Sequence, residues 1–377
     1  MRVGVIGYGS RIRSVLNEVK KQDPAFELAA IVDIRKNDIL SQHQGDPLDN
    51  VQWYGSPEHM MEEAKLDGVL IGTRCSLHTE MALKVLPYRL PLFLEKPVAT
   101  TLSDLQRLKE GGEAHNDRIV VSFPLRTSRM VQLVKEIIDS GKIGTVEHVQ
   151  AVNNVTYGGV YYHNWYRDEN ETGGLFLQKA THDFDYLNYV LQQRPVSVCA
   201  MTSKQVFKGD KPAGLKCADC EDNRTCEEST AFAPEATRKA WPYCSFAVDT
   251  GNEDSGSALV RYESGMHLSY SQNFFVRRKA GARGARFMGY KGTVEFDFYT
   301  SEVKVLMHHT PLVETHRFDT EKGHFGGDAG LATNFVGIMQ GKETSVSTLN
   351  DGLVSALLCL KARESAQNGT FQSIDWL

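Results

Sequence analysis

Short apolar runs alternate with amphipathic stretches along the first third of the chain. In segment 11–21 the apolar residues recur at helical spacing and share one face. Segments 76–86 and 102–114 show the same helical pattern. The apolar runs, which have the length of buried strands, are 2–6, 28–32, 67–72, 92–95 and 118–123. This alternation predicts an α/β domain built on a doubly wound parallel sheet.

The remainder of the chain has a different rhythm. A helical pattern at 128–140 ends at Gly141, and a long alternating stretch at 146–157 is typical of a strand with one buried face. Gly265 and Lys291-Gly292 provide turns between later strand-like segments. These segments are 195–206, 257–263, 266–276, 284–290, 293–298 and 303–308. They predict an α+β domain with an open, mainly antiparallel sheet.

The length of 377 residues exceeds that of one typical core, so we expect two domains. The βαβ pattern fades after residue 123. We therefore predict a first domain at 1–123 and a second at 124–377, with a cysteine-rich insertion at about 208–250.

A glycine turn directly follows the first strand. At Gly7-Tyr8-Gly9-Ser10-Arg11, Gly7 permits a tight bend and Gly9 lets the backbone approach a pyrophosphate. The amides at the start of the next helix attract the same anion. The third position of the usual fingerprint departs from the rule, since Ile12 stands where Gly or Ala is expected. The pattern still predicts a dinucleotide site.

An acidic residue, Asp33, ends the second strand at about the place where a carboxylate would hold the ribose hydroxyls of NAD. Such a carboxylate repels a 2′-phosphate, which favours NAD. Arg35 could accept that phosphate, so NADP stays open. The alternative interpretation is that the glycines only make a tight turn and that Asp33 is a solvated strand end.

Ligands of such sheets lie beyond the carboxyl ends of the strands. The residues that we expect to line this crevice are Thr73, Arg74, His78, Glu95, Lys96 and Phe123.

Charge and hydropathy exclude several classes of partner. The formal net charge is -5, 41% of the residues are hydrophobic, and no apolar run has membrane-spanning length. We therefore expect neither a nucleic-acid nor a membrane partner. The first residues show no signal-peptide pattern, which predicts a cytoplasmic protein.

Four of the seven cysteines lie in the insertion, at Cys217, Cys220, Cys226 and Cys244. A Cys-x-x-Cys pair with two further thiols in a cytosolic protein indicates a structural zinc site, with free thiols or a reversible disulfide as the alternative. Four thiolates would leave zinc no open position, so the chemistry would stay with NAD. Cys75, Cys199 and Cys359 are expected to be packing residues.

These motifs together resemble the glucose-fructose oxidoreductase/inositol dehydrogenase (Gfo/Idh/MocA) family. The resemblance rests on Gly7 to Arg11, Asp33, the segment 72–78, Glu95-Lys96-Pro97, and Gly173-Gly174 followed by His182. It implies an N-terminal Rossmann domain, a C-terminal α/β domain with an open antiparallel sheet, and a cis peptide before Pro97. It also implies hydride transfer between nicotinamide and a sugar or polyol, and homodimers or homotetramers built through the sheet.

Oxidation of a secondary alcohol requires a base near the hydroxyl. We assign His182 as the acid/base, because histidine titrates near neutrality, and Lys96 as the residue that orients and polarises the oxygen. The two roles could be exchanged. The alternatives are a surface lysine and a histidine on a helix face.

One position departs from the family pattern. Many relatives carry an aspartate four residues before the histidine, where this chain has Gln178. If 176–190 is helical, Gln178, Thr181, His182 and Asp185 share a face. Either Asp183 or Asp185 compensates, with Asp185 the better placed, or the chain uses a different proton path.

Substrate contacts are predicted from residue type. Arg126 follows the last strand of the first domain, and the aromatic loop 157–167 contains Tyr157 and Trp165. Aromatic faces and hydrogen-bond donors suit a sugar, although an oligomer contact would use the same residues. The resemblance adds His324, and the helical face above adds Gln178 and Asp185.

Three functions remain open. The first is an NAD(P)-dependent dehydrogenase acting on a sugar, glycoside or inositol-like polyol. The second is an NAD-dependent glycosidase or epimerase that works through a transient keto-sugar. The third is a non-catalytic dinucleotide-binding regulator.

Overall fold

The computed structural model describes residues 1–42, 47–319 and 322–375. The chain forms two compact units. Of the described residues, those within 1–132 and 321–357 form the first unit, and those within 133–320 and 358–376 form the second. The predicted division at residue 123 differs from this one, because a late segment of the chain returns to the first unit.

The first unit is built on a six-stranded parallel sheet with the strand order β3-β2-β1-β4-β5-β6. Its strands are β1 (Arg2–Ile6), β2 (Glu27–Val32), β3 (Gln52–Tyr54), β4 (Gly68–Ile71), β5 (Leu92–Leu94) and β6 (Ile119–Val121). Its early helices are α1 (Ser10–Gln22), α2 (Lys36–Gln42), α3 (Pro57–Glu63), α4 (His78–Val85) and α5 (Leu102–Gly112). Helix α6 (Arg129–Asp139) follows. The predicted parallel α/β sheet is confirmed.

The late segment returns to the first unit because its helices are apolar where they meet the sheet. The helices concerned are α11 (Lys322–Phe325) and α12 (Gly327–Met339), followed by α13 (Leu349–Asn368). Leu331 and Phe335 of α12 lie in one buried cluster with Val5 of β1 and Val15 of α1. The rings of Phe335 and Phe93 meet edge to face at 5.7 Å. Burial of this apolar area stabilises the unit.

The departure at Ile12 is accommodated by a second glycine. Ile12 is fully buried, and a Cβ placed on Gly72 would lie 2.0 Å from its Cγ1. The side chain of Ile12 therefore occupies the space that Gly72 leaves open beyond β4. Helix and strand still pack closely, with the small residue on the strand side instead of the helix side.

The second unit contains a nine-stranded sheet with the order β14-β13-β12-β11-β7-β10-β9-β8-β15. Strands β7 and β10 pair in parallel, and the other neighbours pair antiparallel. The first strands are β7 (Val146–Asn154), β8 (Pro195–Ser203), β9 (Ser255–Tyr262), β10 (His267–Asn273) and β11 (Ala282–Gly289). The others are β12 (Gly292–Asp297), β13 (Glu302–Met307), β14 (Val313–Arg317) and β15 (Gln372–Ser373). The mainly antiparallel sheet is confirmed.

One face of this sheet is buried and the other is open. Along β7, Val149, Ala151 and Asn153 are buried, whereas Gln150 is exposed. The open face contains a shallow concavity of about 550 Å³. Polar side chains such as Ser271, Arg286 and Glu295 line it.

The helices of the second unit are α7 (Val160–His163), α8 (Glu169–Thr172), α9 (Thr181–Leu191) and α10 (Glu235–Ala240). A π-helical turn, Phe176–Ala180, leads directly into α9. Gly173 and Gly174 before it adopt φ angles of +77° and +87°, which glycine accepts without strain. Among the described helices, none is long and apolar enough to cross a membrane.

Candidate active site

The glycine turn after β1 is held against the end of β4. Gly7 has φ +86°, and a Cβ there would lie 2.7 Å from the Thr73 backbone nitrogen. Only glycine fits this position. Gly9 is the extended residue before α1, and Ser10 begins the helix. The free amides of the first helical turn therefore lie at the carboxyl edge of the sheet, where a pyrophosphate would bind.

Asp33, the carboxylate predicted to bind ribose, follows β2 and is hydrogen-bonded to the glycine turn. Its Oδ2 accepts the Tyr8 backbone N–H at 2.8 Å, and its Oδ1 accepts the Arg35 backbone N–H at 2.8 Å. The Arg35 guanidinium donates to the same carboxylate. Burial opposes ionisation, but the hydrogen bonds from Arg35 and Tyr8 hold the pKa of Asp33 below its usual value. The carboxylate is therefore ionised and preoriented at neutral pH.

Arg11 connects three parts of the first unit. Its Nε donates to Glu95 at 2.9 Å, and its second terminal nitrogen donates to Ser122 at 2.9 Å and pairs with Asp328 at 2.8 Å. Burial works against the charge, yet the two carboxylates raise the pKa of Arg11. Arg11 and Glu95 were predicted to bind the cofactor, and the structure brings them together at the sheet edge.

His324, which was predicted to contact substrate, belongs to this same cluster. Its Nδ1 lies 3.0 Å from Asp328 Oδ2. Burial would raise the pKa of Asp328, but the hydrogen bonds from His324 and Arg11 lower it well below its usual value. Ser122 and Asp328 were missed by sequence reasoning. The Gly326-Gly327-Asp328 run was the available signal, because a glycine pair before a helix permits close approach.

The loops around Lys96 are tied together by His78. The Lys96–Pro97 peptide is cis, as the resemblance implied. The His78 Nδ1 lies 2.7 Å from the Pro97 carbonyl, and its Nε2 lies 3.3 Å from the Thr73 carbonyl. Burial lowers the pKa of His78, so the ring is neutral and donates to one carbonyl. His78, predicted as a cofactor contact, instead positions the segments that follow β4 and β5.

The thiol of Cys75 lies behind the same loops. Burial raises the pKa of Cys75 to about 11, partly offset by the charge of Lys96. Thr73 is half-buried and Arg74 is exposed. The Thr73 hydroxyl donates to the Arg74 carbonyl at 3.2 Å.

Arg126 corrects a prediction. We expected a substrate contact, but its side chain is buried and donates to the Val346 carbonyl and to Asp351 Oδ2, both at 2.9 Å. The Asp351 carboxylate also accepts from the Thr348 amide at 2.8 Å, close to the start of α13. Arg126 therefore forms a partly buried ion pair within the first unit, where an arginine is a common partner of a carboxylate.

His182 lies in the second unit, on the first turn of α9, and is buried. Gln178, Thr181 and Asp185, which were predicted to share its helical face, are buried as well. The neighbouring Asp183 points into the sheet. Its carboxylate accepts from Asn153 at 2.6 Å, from Tyr270 at 2.8 Å and from Arg283 at 2.8 Å.

Asp183 is therefore committed to a buried ion pair with Arg283. It does not take the place of the aspartate that relatives carry at position 178. Asn153, Tyr270 and Arg283 were also missed, since strand residues of these types show no motif.

Lys179 and Tyr157 form a further contact in this unit. The Lys179 Nζ donates to the Tyr157 hydroxyl and lies 4.6 Å from the centre of the Tyr157 ring. Trp165, from the same predicted substrate loop, stacks on Tyr166 at 3.8 Å. Sequence reasoning assigned no role to Lys179, which directly follows Gln178.

Two side chains of the cysteine-rich insertion, Cys217 and Glu228, contact residues from outside it. Cys217 Sγ lies 4.0 Å from His163 Nδ1, and Arg277 donates to both oxygens of Glu228 at 2.7 Å. Despite burial, His163 lowers the pKa of Cys217 to about 7. The charges of Cys217, Cys220 and Cys226 raise the pKa of Cys244 further than burial alone does. Among the described residues, no three His, Cys, Asp or Glu side chains are grouped so that they could hold a metal ion.

A parallel sheet of this order, with an amide-lined glycine turn and an anchored carboxylate after β2, defines a dinucleotide-binding class of protein. The comparisons with known proteins agree. The model of the "Oxidoreductase family, NAD-binding Rossmann fold" matches residues 1–123, and that of the "GFO/IDH/MocA C-terminal domain" matches residues 131–295. The chain belongs to the Gfo/Idh/MocA family and is an NAD(P)-dependent oxidoreductase of the dehydrogenase type.

Individual relatives are distant. YteT of Bacillus subtilis is 27% identical over 312 residues, which are 72% of each chain. The myo-inositol 2-dehydrogenase of Thermotoga maritima is 27% identical over 53% of this chain and 58% of its own length. Levoglucosan dehydrogenase in complex with NADH and levoglucosan is similar in fold, with a TM-score of 0.77, 16% identity and full coverage of both chains.

Proposed function

We propose that this protein is an NAD-dependent dehydrogenase that oxidises a secondary alcohol of a sugar, glycoside or inositol-like polyol. The observation that supports NAD most directly is the Asp33 carboxylate, which Tyr8 and Arg35 hold at the end of β2. An ionised carboxylate there accepts ribose hydroxyls and repels a 2′-phosphate. The inositol dehydrogenases among the relatives support a polyol substrate.

The catalytic roles follow the motifs. NAD supplies the hydride acceptor when it is bound. His182 removes the proton of the substrate hydroxyl, and Lys96 orients the oxygen and stabilises its developing charge. The cluster of Arg11, Glu95 and Asp328 fixes the loops that start after β1 and β5.

The test is turnover of a panel of sugars, inositols and glycosides with NAD⁺ or NADP⁺, followed through NADH absorbance and chromatography of the products. We expect NADH in proportion to the ketone. Lys96→Ala and His182→Ala should each lower kcat by about 10²–10⁴-fold while NAD⁺ affinity stays within a factor of about three.

Two other outcomes would replace this proposal. Release of the aglycone without NADH would establish the keto-sugar glycosidase, and formation of an epimer without NADH would establish the epimerase. Gln178 in place of the usual aspartate is the supporting feature for both. NAD⁺ binding without turnover of any compound, unaffected by Lys96→Ala, would instead support a dinucleotide-binding regulator.

We also propose that the open face of the second sheet joins copies of the chain into a homodimer or homotetramer. Exposed apolar side chains on β8 and β9, Met201 and Leu259, support this proposal. A cytoplasmic location stays a prediction.

For the cysteine-rich insertion, a structural zinc is likewise a proposal. Lys216 and Tyr243 form an antiparallel bridge, which places Cys217 and Cys244 diagonally on one side of the paired backbone. Metal analysis of the purified protein, with thiol titration before and after chelation, tests it. One zinc per chain, with thiols that react only after chelation, is expected. Four thiols that react at once without metal would support free cysteines.

A further inference from the structure

Lys179 is a buried residue whose amine contacts the hydroxyl of an exposed tyrosine. Lys179 is 5% exposed, and its Nζ donates to the Tyr157 hydroxyl. Tyr157 itself is 47% exposed. The buried amine is therefore in contact with a side chain that belongs to an exposed residue.

The pair is held rigidly on both sides. Tyr157 follows β7 in a turn where the Val155 amide donates to the Asn273 carbonyl at 2.9 Å. A Cβ on Gly158 would lie 1.9 Å from the Phe274 carbonyl oxygen, so only glycine permits this approach. Lys179 lies in the π-helical turn before α9, and such turns occur frequently at functional sites.

Three groups face the Lys179 amine from the elements packed around it. They are Tyr157 from the turn after β7, Asp183 from α9 and Arg283 from β11. The Asp183 carboxylate is already occupied by Arg283, Asn153 and Tyr270. Burial and then the charge of Arg283 hold the pKa of Lys179 well below its usual value, and Asp183 opposes this only in part. Such an amine can change its protonation state during turnover.

We propose that Lys179 and Tyr157 form the proton path of the active site, in place of the carboxylate that relatives carry four residues before the histidine. The inference rests on the proposed dehydrogenase function. Lys179 lies three residues before His182, in the π-helical turn that runs directly into the first turn of α9.

In the oxidation direction, the C–H bond of the alcohol breaks, and NAD⁺, when bound, would supply the acceptor for the hydride. The O–H bond breaks as well, and its proton passes to His182. Lys179 accepts that proton, and Tyr157 releases one proton to water and takes one from Lys179. One proton is released for each NADH formed, so the step balances without a further reactant.

The variants Lys179→Met, Lys179→Arg and Tyr157→Phe test this path. We expect each to lower kcat at neutral pH by about 10²-fold or more, with NAD⁺ affinity unchanged. We expect kcat of the wild type to rise with pH as Lys179 loses its proton. In all three variants this rise should be lost or its midpoint should move to another pH. Arginine keeps the charge but does not titrate, so Lys179→Arg should fail to restore the rate.

Lys204→Met is the matched control. Lys204 lies in the same unit, donates to the Thr250 carbonyl and has a pKa lowered mainly by burial, but it lies outside the proposed path. This variant should keep the wild-type pH profile. Circular dichroism and thermal melting of all variants report whether they fold.

Two results would overturn the proton path. One is a Lys179→Met enzyme whose kcat and pH profile match the wild type within twofold. The other is recovery by Lys179→Arg, which would indicate a role for charge alone.

A second measurement needs no turnover. The ultraviolet titration of tyrosinate in the wild type minus Tyr157→Phe isolates Tyr157, and Lys179→Met should move its midpoint. If the midpoint does not move, the path is wrong for any substrate. If it moves but no polyol is oxidised, the proposed substrate class is wrong and the coupled pair is supported.

Discussion

The Asp33 carboxylate has two roles at the residue scale. It is a ready acceptor for ribose hydroxyls, and it also binds the Tyr8 amide within the glycine turn. The neighbouring Arg35 guanidinium is the group that could bind a 2′-phosphate, but it already donates a hydrogen bond to the Asp33 carboxylate. We therefore expect cofactor preference to depend on the competition between these two neighbouring charges.

Asp33→Asn keeps an oxygen for the Tyr8 amide but removes the charge. We expect NAD⁺ affinity to fall by about tenfold or more and NADP⁺ affinity to rise, because charged hydrogen bonds contribute about 1.5–3 kcal/mol. Titration with both cofactors measures the change. Asp67→Asn is the control, since Asp67 accepts the Arg2 amide at the opposite end of β1. Equal losses in both variants would contradict the assignment.

Asp328 gives a prediction with a defined pH dependence. Its pKa is lowered in the folded state, so its contribution to stability is present above the unfolded pKa of about 3.9 and is lost as the pH falls below that value. We expect Asp328→Asn to lower the free energy of unfolding by about 1–3 kcal/mol at pH 7, with a smaller difference in acid. Urea unfolding across this range measures it.

Asp139→Asn provides the comparison for that experiment. Asp139 forms an exposed pair with Lys135 at 2.7 Å, and such pairs contribute about 0–1 kcal/mol. An effect of Asp328→Asn no larger than this would show that the Arg11 cluster is not a stabilising network.

Sequence reasoning located the motif residues in the fold, and their roles in binding stay predictions. The glycine turn, Asp33 and Glu95 lie where the spacing predicted. It misplaced Arg126 and did not find Asp328 or Lys179. Their roles depend on which distant segment packs against them, and no local pattern records a contact between residues such as Arg11 and Asp328.

At the scale of elements, α1 and the end of β4 show how one departure from a rule is offset by another. Ile12 fills the space beside Gly72. The fingerprint usually places its small residue on the helix, whereas this chain places it on the strand. The helix and the strand can therefore pack as closely as usual, with the large residue on the helix and the glycine after the strand.

A double-mutant cycle tests this exchange. Gly72→Ala alone should destabilise by about 1–3 kcal/mol through overlap, and Ile12→Ala alone by about 2–5 kcal/mol through a cavity. Together they should cost less than the sum of the two, because each relieves the other. Gly55→Ala is the control, as its Cβ would meet no atom within 4 Å. Strict additivity in chemical denaturation would contradict the contact.

The longer elements were predictable and the shortest were not. The apolar runs and the alternation at 146–157 predicted most strands of both sheets. The sequence did not reveal β3, β14 or β15, which have three, five and two residues. In β14 no residue is buried, so tertiary pairing creates this strand without a hydrophobic pattern.

At the scale of the whole molecule, the open sheet face is the feature that most needs a partner. Met201 is 75% exposed and Leu259 is 50% exposed, on paired strands. Exposed apolar side chains on one sheet face are common at subunit contacts.

The double variant Met201→Glu with Leu259→Glu should shift the protein towards the monomer, because it buries charge at the proposed contact. Light scattering with size-exclusion chromatography measures the mass. Leu102→Glu, on an exposed position of α5, should leave the mass unchanged. A wild-type protein that is monomeric at all concentrations would refute the proposed assembly.

The return of α12 to the first unit also affects the order in which the chain can fold during synthesis. A ribosome makes β1 to β6 first, yet Phe335 and Leu331 complete their core only after strands β7 to β14 of the second sheet have been synthesised. Asp328 reaches Arg11 at the same late moment. We therefore expect the nascent chain to complete this core, and with it the ion pair of Arg11 and Asp328, only after translation has passed residue 339.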